Sequence, residues 1–120
     1  MFEVMLEDFL DRLMIRLRVP KDTREFILQK FSGVKTRLDD LFPGLVGESF
    51  KRITRDTEFA DYYDRWHKIR TERNNFLHDE HGHVSAGTAK EAVDLIEPCF
   101  RLFEWLNNTI IVEAQHRRVN

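Results

Sequence analysis

The chain has few of the residues that mark thiol-dependent, membrane-bound or strongly basic proteins. Its 120 residues include one cysteine, Cys99, which excludes an internal disulfide and a zinc site made of several thiolates. No apolar run approaches the roughly 20 residues that cross a bilayer, and acidic residues interrupt the N-terminal segment, so we expect neither a membrane contact nor a signal peptide. Lysine and arginine (19) nearly balance aspartate and glutamate (21), which leaves a formal net charge of -2. Proteins that bind nucleic acid by bulk charge are clearly basic, so any contact of this chain with nucleic acid is expected to be a local patch or a small site. The lack of a membrane span and of a signal peptide leads us to expect a cytoplasmic protein.

Apolar residues make up 42% of the chain and include ten phenylalanines and two tryptophans. This content and the length predict a single packed domain over residues 1–120. Cys99 lies in the sequence among Ile96, Phe100 and Phe103, so we expect a buried, unreactive thiol.

Apolar positions recur at steps of three and four along most of the chain, and no alternating strand pattern is present. This periodicity predicts helices over roughly 2–18, 23–42, part of 45–56, 56 or 57 to 77 or 78, and 85 or 88 to about 113. Short polar loops between such helices favour an all-α up-and-down bundle of four to five helices.

Caps, glycines and prolines predict where these helices begin and end. Asp22 followed by Glu25 has the spacing of a capping box at the start of the second helix. Gly33 favours an interruption inside that helix, and Pro43 with the glycine after it predicts its end. Pro98 should kink the last helix, because proline lacks the backbone donor that the preceding turn expects.

One stretch departs from the helical pattern. Tyr62, Trp66 and Ile69 follow steps of four and three, and the next step falls on Arg73, where the pattern calls for an apolar side chain. An ionised group on a buried seam is costly unless it is paired or the seam opens onto a site. His78, whose charge can change near neutral pH, follows five residues later. We therefore take Arg73 and His78 as candidate functional residues.

Helix geometry limits how these two residues can act together. Arg70, Asn74 and His78 follow one another at four-residue steps, whereas Arg73 and His78 lie about 140° apart around a helix. They can converge on one target if His78 lies just past the helix end. They can also do so if two copies of the helix face each other across a two-fold axis.

Residues 73–78 read Arg-Asn-Asn-Phe-Leu-His, which resembles the R-N-x-x-x-H signature of the HEPN superfamily. The aromatic helix before the motif, the polar loop after it and the long final helix agree with that pattern. The resemblance implies a small all-α domain that dimerises through the motif helix, so that two motifs line one cleft. It also implies a metal-independent endoribonuclease that needs no cofactor, as in toxin–antitoxin, antiviral and RNA-processing systems. The expected partners are RNA, a second copy, and a cognate antitoxin or other defence-system protein.

The resemblance also implies roles for individual residues in cleaving single-stranded RNA by 2′-hydroxyl attack. His78 would act as general base or acid, and an imidazole with a pKa near ~6.5 suits that role at neutral pH. Arg73 would hold the scissile phosphate, because guanidinium matches phosphate through paired hydrogen bonds. Asn74 would orient His78 or the phosphate, and Arg70 and Asn75 would supply supporting RNA contacts.

Several other interpretations remain open at this point. Arg73 can instead form an ion pair within the bundle, for example with Asp64, while His78 caps the helix end. A HEPN-like domain can also be catalytically inactive and bind RNA, a nucleotide or a protein. A subset of toxins in the family has a tyrosine, modified by a partner nucleotidyltransferase, at the position of Glu80, which argues against that route of neutralisation here.

Two surface features have both a functional and a solvated interpretation. The loop after the motif carries potential zinc or nickel ligands but has no second ligand set elsewhere, so a solvated loop is favoured. Those ligands are His78, Asp79, Glu80, His81 and His83. A basic patch before the motif could guide RNA but is interleaved with acids, which is equally typical of a mixed-charge face. Its residues are Lys51, Arg52, Arg55, Arg65, Lys68 and Arg70.

Overall fold

The structure of the protein is a computed structural model that describes residues 1–78 and 86–112, with side chains for 1–74 and 87–112. Within these residues the chain is helical and contains no strand, which confirms the predicted all-α class. The helices are α1 (Phe2–Arg16), α2 (Lys21–Lys30), α3 (Val34–Thr36), π1 (Arg37–Leu41), α4 (Phe42–Val46), α5 (Phe50–Thr54), α6 (Tyr62–His78), α7 (Ala86–Asp94), α8 (Ile96–Leu106) and π2 (Asn107–Val112). No helix in these ranges is long and apolar enough to cross a bilayer.

Helix α1 packs against α8 at the centre of the core. The ring of Phe103 lies 5.7 Å from Phe2 and 6.3 Å from Phe9, measured between ring centroids. Cys99 is fully buried one turn before Phe103, and its sulfur lies 3.6 Å from that of Met5. Each fully buried side chain of this size contributes roughly 1.5–3 kcal/mol relative to an exposed one. This aromatic and aliphatic contact holds α1 against α8.

Helix α3, the π turn and α4 form one continuous helical run over residues 34–46. The predicted stop at Pro43 is wrong: the run passes through Pro43 and ends at Gly47, whose φ is +93°. Proline is tolerated here because it lies near the start of α4, directly after a π turn in which Phe42 donates to Arg37. Gly47 ends the helix because glycine adopts the left-handed conformation without steric cost.

Two predicted helix starts are displaced as well. Helix α2 begins at Lys21 with Pro20 as its N-cap, so Asp22 lies in the first turn and does not form the expected capping box. Helix α6 begins at Tyr62 rather than near residue 56. The hydroxyl of Thr57 donates to the carbonyl of Thr54 and accepts from the amide of Phe59, which stabilises turns before α6.

Helices α6 and α7 form an antiparallel hairpin. Contacts join its two arms at increasing distance from the core: the Tyr62 hydroxyl donates to the Leu95 carbonyl at 3.4 Å, and Arg65 Nε lies 3.0 Å from a Glu91 oxygen. Further out, a third pair joins the arms, in which Thr88 donates to Glu72. The helix breaks at Leu95, three residues before Pro98, as the missing donor of the proline predicts.

The hairpin extends beyond the core. None of the described side chains in 63–74 or 87–94 is buried, although Tyr63, Trp66 and Ile69 are half-buried against the edge of the core. The radius of gyration is 16.2 Å, compared with about 14 Å for a compact domain of this length. The motif therefore begins on the exposed part of α6, beyond the side chains that pack against the core.

Candidate functional site

Exposure increases along α6 from the core towards its C-terminal end. Tyr62 is 4% exposed, Trp66 and Ile69 are half-buried, and Arg73 is exposed. The sequence pattern placed Arg73 on a seam that is either buried or open onto a site, and in the structure this seam opens to solvent after Ile69. The guanidinium of Arg73 therefore carries no burial cost and is accessible to a ligand.

Arg73 lines a recess of about 150 Å³ between α6 and the N-terminal residues. The recess is lined by Met1, Glu3, Trp66, Ile69, Arg70 and Arg73. Among residues with described side chains, no carboxylate oxygen lies within 4 Å of the Arg73 guanidinium, so the alternative ion pair with Asp64 does not form. The recess thus brings two arginines and a tryptophan together.

Arg70 lies near one acidic and one aromatic side chain. Its Nε lies 3.9 Å from an oxygen of Glu3, and its guanidinium carbon lies 5.4 Å above the centre of the Trp66 ring. The side chain of Arg70 is 39% exposed. Arg70 and Arg73 are brought together as the sequence analysis expects, but the charge of Arg70 is already shared with a carboxylate. Of the two, Arg73 is better placed to bind an anion.

Asn74 is exposed on the same helix, one turn after Arg70. The backbone at positions 75 and 78 belongs to α6, while the side chains of Asn75 and His78 lie outside the described residues. Because the helix continues through His78, the arrangement in which this residue lies past the helix end does not occur. Positions 73 and 78 then lie about 140° apart around one helix.

Two residues that the sequence analysis passed over extend the aromatic surface of α6. The imidazole of His67 stacks on Tyr63 with the ring centroids 5.8 Å apart and an angle of 18° between the planes. The Tyr63 ring is also 6.0 Å from that of Trp66. Burial and the nearby carboxylate of Asp39 raise the pKa of Tyr63, so its hydroxyl stays protonated. The i,i+4 spacing of Tyr63 and His67 was a signal that the sequence already contained.

Three further features from the sequence analysis are the cysteine, the metal ligands and the basic patch. Cys99 is buried and burial raises the pKa of its thiol, which agrees with the expected unreactive cysteine. Within the described ranges, no three histidine, cysteine or acidic side chains are grouped as a metal site. The predicted loop ligands from Asp79 to His83, including Glu80, lie outside those ranges. In the basic patch, Arg65 is paired with Glu91 across the hairpin.

Comparisons with protein-family models, curated proteins and solved structures find no match to this chain. Any functional conclusion therefore depends on the arrangement of side chains on α6.

Proposed function

We propose that this protein is a metal-independent endoribonuclease of the HEPN type that cleaves single-stranded RNA. The observation that carries the proposal is the exposed guanidinium of Arg73, which lines an open recess without a carboxylate partner among the described side chains. Surface arginines that are not needed for an ion pair are suited to bidentate recognition of phosphate. Arg73 would hold the scissile phosphate and stabilise the negative charge that develops on it.

His78 would perform the proton transfers. As general base it would take the proton of the ribose 2′-hydroxyl, whose oxygen attacks the adjacent phosphorus while the bond to the 5′-oxygen breaks. The products would be a 2′,3′-cyclic phosphate and a 5′-hydroxyl. Because the nucleophile is the 2′-hydroxyl, DNA would bind without being cleaved. Asn74 would orient the phosphate or His78, and Asn75 would support RNA binding.

Two copies of the chain would build the site. Arg73 and His78 diverge around a single α6, so a shared cleft is the remaining way for both to reach one phosphate. The hairpin supports this arrangement, because its described side chains beyond Tyr62 are not buried within one chain. Val93 on α7 and Ile96 at the start of α8 are 64% and 44% exposed. A second copy would cover them. A nuclease of this kind would be restrained by a cognate antitoxin or another defence-system protein.

The test is cleavage of labelled single-stranded RNA in excess EDTA. We expect wild-type cleavage to survive chelation and to leave cyclic phosphate ends. His78→Ala should lower the rate about 10²- to 10⁴-fold, which is the usual contribution of a general acid or base. Arg73→Lys should also lose activity, because an ammonium cannot bind phosphate through two parallel hydrogen bonds.

Lys30→Ala is the matched control, since Lys30 is an exposed cation at the end of α2, outside the basic patch, and should be dispensable. Loss of cleavage on chelation, together with the same loss in His83→Ala, would favour the metal interpretation of the loop. RNA binding without cleavage by the wild type would favour the catalytically inactive binding module.

A further inference from the structure

We propose that α6 carries a stacking platform for two consecutive bases of single-stranded nucleic acid, formed by His67 on Tyr63 and by Arg70 on Trp66. This proposal names the binding surface of the RNA site proposed above and rests on it for the choice of ligand. Binding to the platform does not require cleavage, so the two proposals can fail separately.

The two units of the platform have the same construction. In each, a planar nitrogen-containing group lies on an aromatic ring of the preceding helical turn. His67 lies on Tyr63 at 5.8 Å and 18°, and the Arg70 guanidinium lies 5.4 Å above Trp66. His67 is exposed and Arg70 retains 39% of its side-chain exposure. Bases in single strands stack on imidazole, aromatic and guanidinium planes of this kind.

The spacing of the units suits neighbouring nucleotides. His67 and Arg70 are three residues apart on one helix, so their Cβ atoms are separated by about 5–6 Å. Successive bases in a stacked strand are about 3.4 Å apart, so a small opening of the stack places one base on each unit. The aromatic rings beneath restrict both planar groups before the ligand arrives, which reduces the entropy lost on binding.

The surrounding charges give the strand a direction. Asp39 and Asp64 act on Tyr63, at the end of the platform nearest the core. Glu3 lies near Arg70 in the middle, and Arg73 lies one turn beyond with no described carboxylate partner. Phosphate groups are repelled at the first end and attracted at the second. The strand therefore runs along α6 with its phosphate at Arg73, next to the motif.

The platform can be tested with a protein that binds but does not cleave. His78→Ala removes the proposed general base, and Trp105→Phe leaves Trp66 as the single tryptophan while preserving the ring contact of residue 105 with Phe59. Titration with thymidine monophosphate and with oligothymidylates of two to eight nucleotides should quench Trp66 fluorescence. Affinity should rise at least fivefold from one nucleotide to two or three. Equal affinity for the mononucleotide and the longer strands would overturn a two-base platform and identify a site for a free nucleotide.

Substitutions separate stacking from charge. His67→Ala should weaken binding about fivefold or more, the low end of the loss seen when one base-stacking side chain is removed. It should leave the salt dependence unchanged, while His67→Phe should restore affinity. Arg73→Ala should reduce the steepness of the fall of log K with log salt by about 1, as for one lost phosphate contact. Lys30→Gln, an exposed position on α2 outside the basic patch, is the control, and a loss equal to that of His67→Ala would contradict the platform.

The outcomes distinguish this proposal from the nuclease. If oligonucleotides bind as described but the wild type cleaves no RNA, the nuclease proposal fails and the platform stands. If RNA is cleaved but His67→Ala and Arg70→Gln bind it as the parent does, the platform is rejected.

Discussion

At the scale of single residues, Arg37 shows how one guanidinium can join separate segments of the chain. Its Nε donates to the carbonyl of Phe31 at 2.9 Å, and its Nη2 donates to that of Leu28 at 3.0 Å. The same Nη2 lies 3.3 Å from an oxygen of Glu7 on α1. Since carbonyls at the end of a helix have no partner within it, Arg37 satisfies the end of α2 and fastens it to α1.

Arg37→Met should lower the free energy of unfolding by about 2–3 kcal/mol, because two partly buried carbonyls lose their donor. Arg12→Met is the matched control: Arg12 pairs with Asp8 at 2.9 Å, but both side chains are more than half exposed. Its effect should stay within about 0.5 kcal/mol. Urea denaturation measures both values. Equal effects of the two substitutions would show that the contacts of Arg37 do not stabilise the fold.

Arg37 and Arg73 show what a sequence pattern can and cannot predict for a single side chain. Periodicity placed Arg73 on the same face as Tyr62 and Trp66, and the structure agrees about the face. It could not predict how far along that face the core extends, because this depends on where the opposing helices end. Arg37 was not predicted to be important, since its carbonyl partners on α2 can be identified only from the three-dimensional structure.

At the scale of helices, the predictions were accurate for long amphipathic segments and poor for short ones. Helix α1 ends two residues before the expected position, and α6 ends at His78 as expected. The region from 34 to 61 differs more, because the local signals compete. Pro43 is a helix stop in isolation, but a preceding π turn lets the helix pass through it. Tertiary packing of Leu41 and Phe42 against the core outweighs the local preference.

Gly44 and Gly47 offer a matched test of how this helical run ends. A Cβ added at either glycine would have no other atom within 4 Å, so steric contacts do not distinguish the two positions. Gly47 has a φ of +93°, whereas Gly44 lies inside α4. Gly47→Ala should therefore destabilise the protein by about 1–2 kcal/mol, and Gly44→Ala should stabilise it by about 0.5–1 kcal/mol. Thermal unfolding monitored by circular dichroism ranks the stabilities of the two variants and the wild type. Destabilisation by both substitutions would argue that the left-handed conformation of Gly47 is not what distinguishes the two positions.

In the candidate site on α6, too, some residues could be predicted from the sequence and others required the structure. Arg70, Arg73 and Asn74 could be predicted from the motif and its spacing, and they lie close together on the exposed part of the helix. The stacked pair of Tyr63 and His67 has equally regular spacing. Its significance emerged only when the structure showed that this face of α6 is open to solvent.

At the scale of the whole molecule, α7 and the first turns of α8 leave an apolar stripe uncovered. Ala89, Val93, Ile96 and Phe100 are all exposed and follow steps of four, three and four residues. The stripe crosses the turn at Leu95 that separates α7 from α8, and its spacing is typical of helices that pack against another helix. Residues at i and i+7 on such a stripe face the same partner, so an antiparallel second copy would present an identical stripe. The charges of Lys90 and Glu97 flank it, and Glu97 pairs with Arg101 of its own helix at 3.2 Å.

A dimer formed through this stripe should be sensitive to charge at its centre. Val93→Glu and Ile96→Glu should each weaken self-association at least tenfold, because each places a carboxylate in the apolar contact. Phe26→Glu is the matched control, since Phe26 is 62% exposed on α2, outside the hairpin. Analytical ultracentrifugation measures the association constant of each variant. A wild-type protein that remains monomeric at high concentration and still cleaves RNA would reject the shared cleft.

The shared cleft also makes a prediction about mixed subunits. Arg73→Ala and His78→Ala should each be inactive alone, but a mixed dimer would retain one Arg73 and one His78, contributed by different chains. Mixing the two variants should therefore restore part of the RNA cleavage, and adding Val93→Glu to both should abolish the restoration. If each copy instead acted alone, mixing would restore nothing, because no single chain would contain both groups. The recovered rate thus shows whether Arg73 and His78 of one active site come from two different subunits.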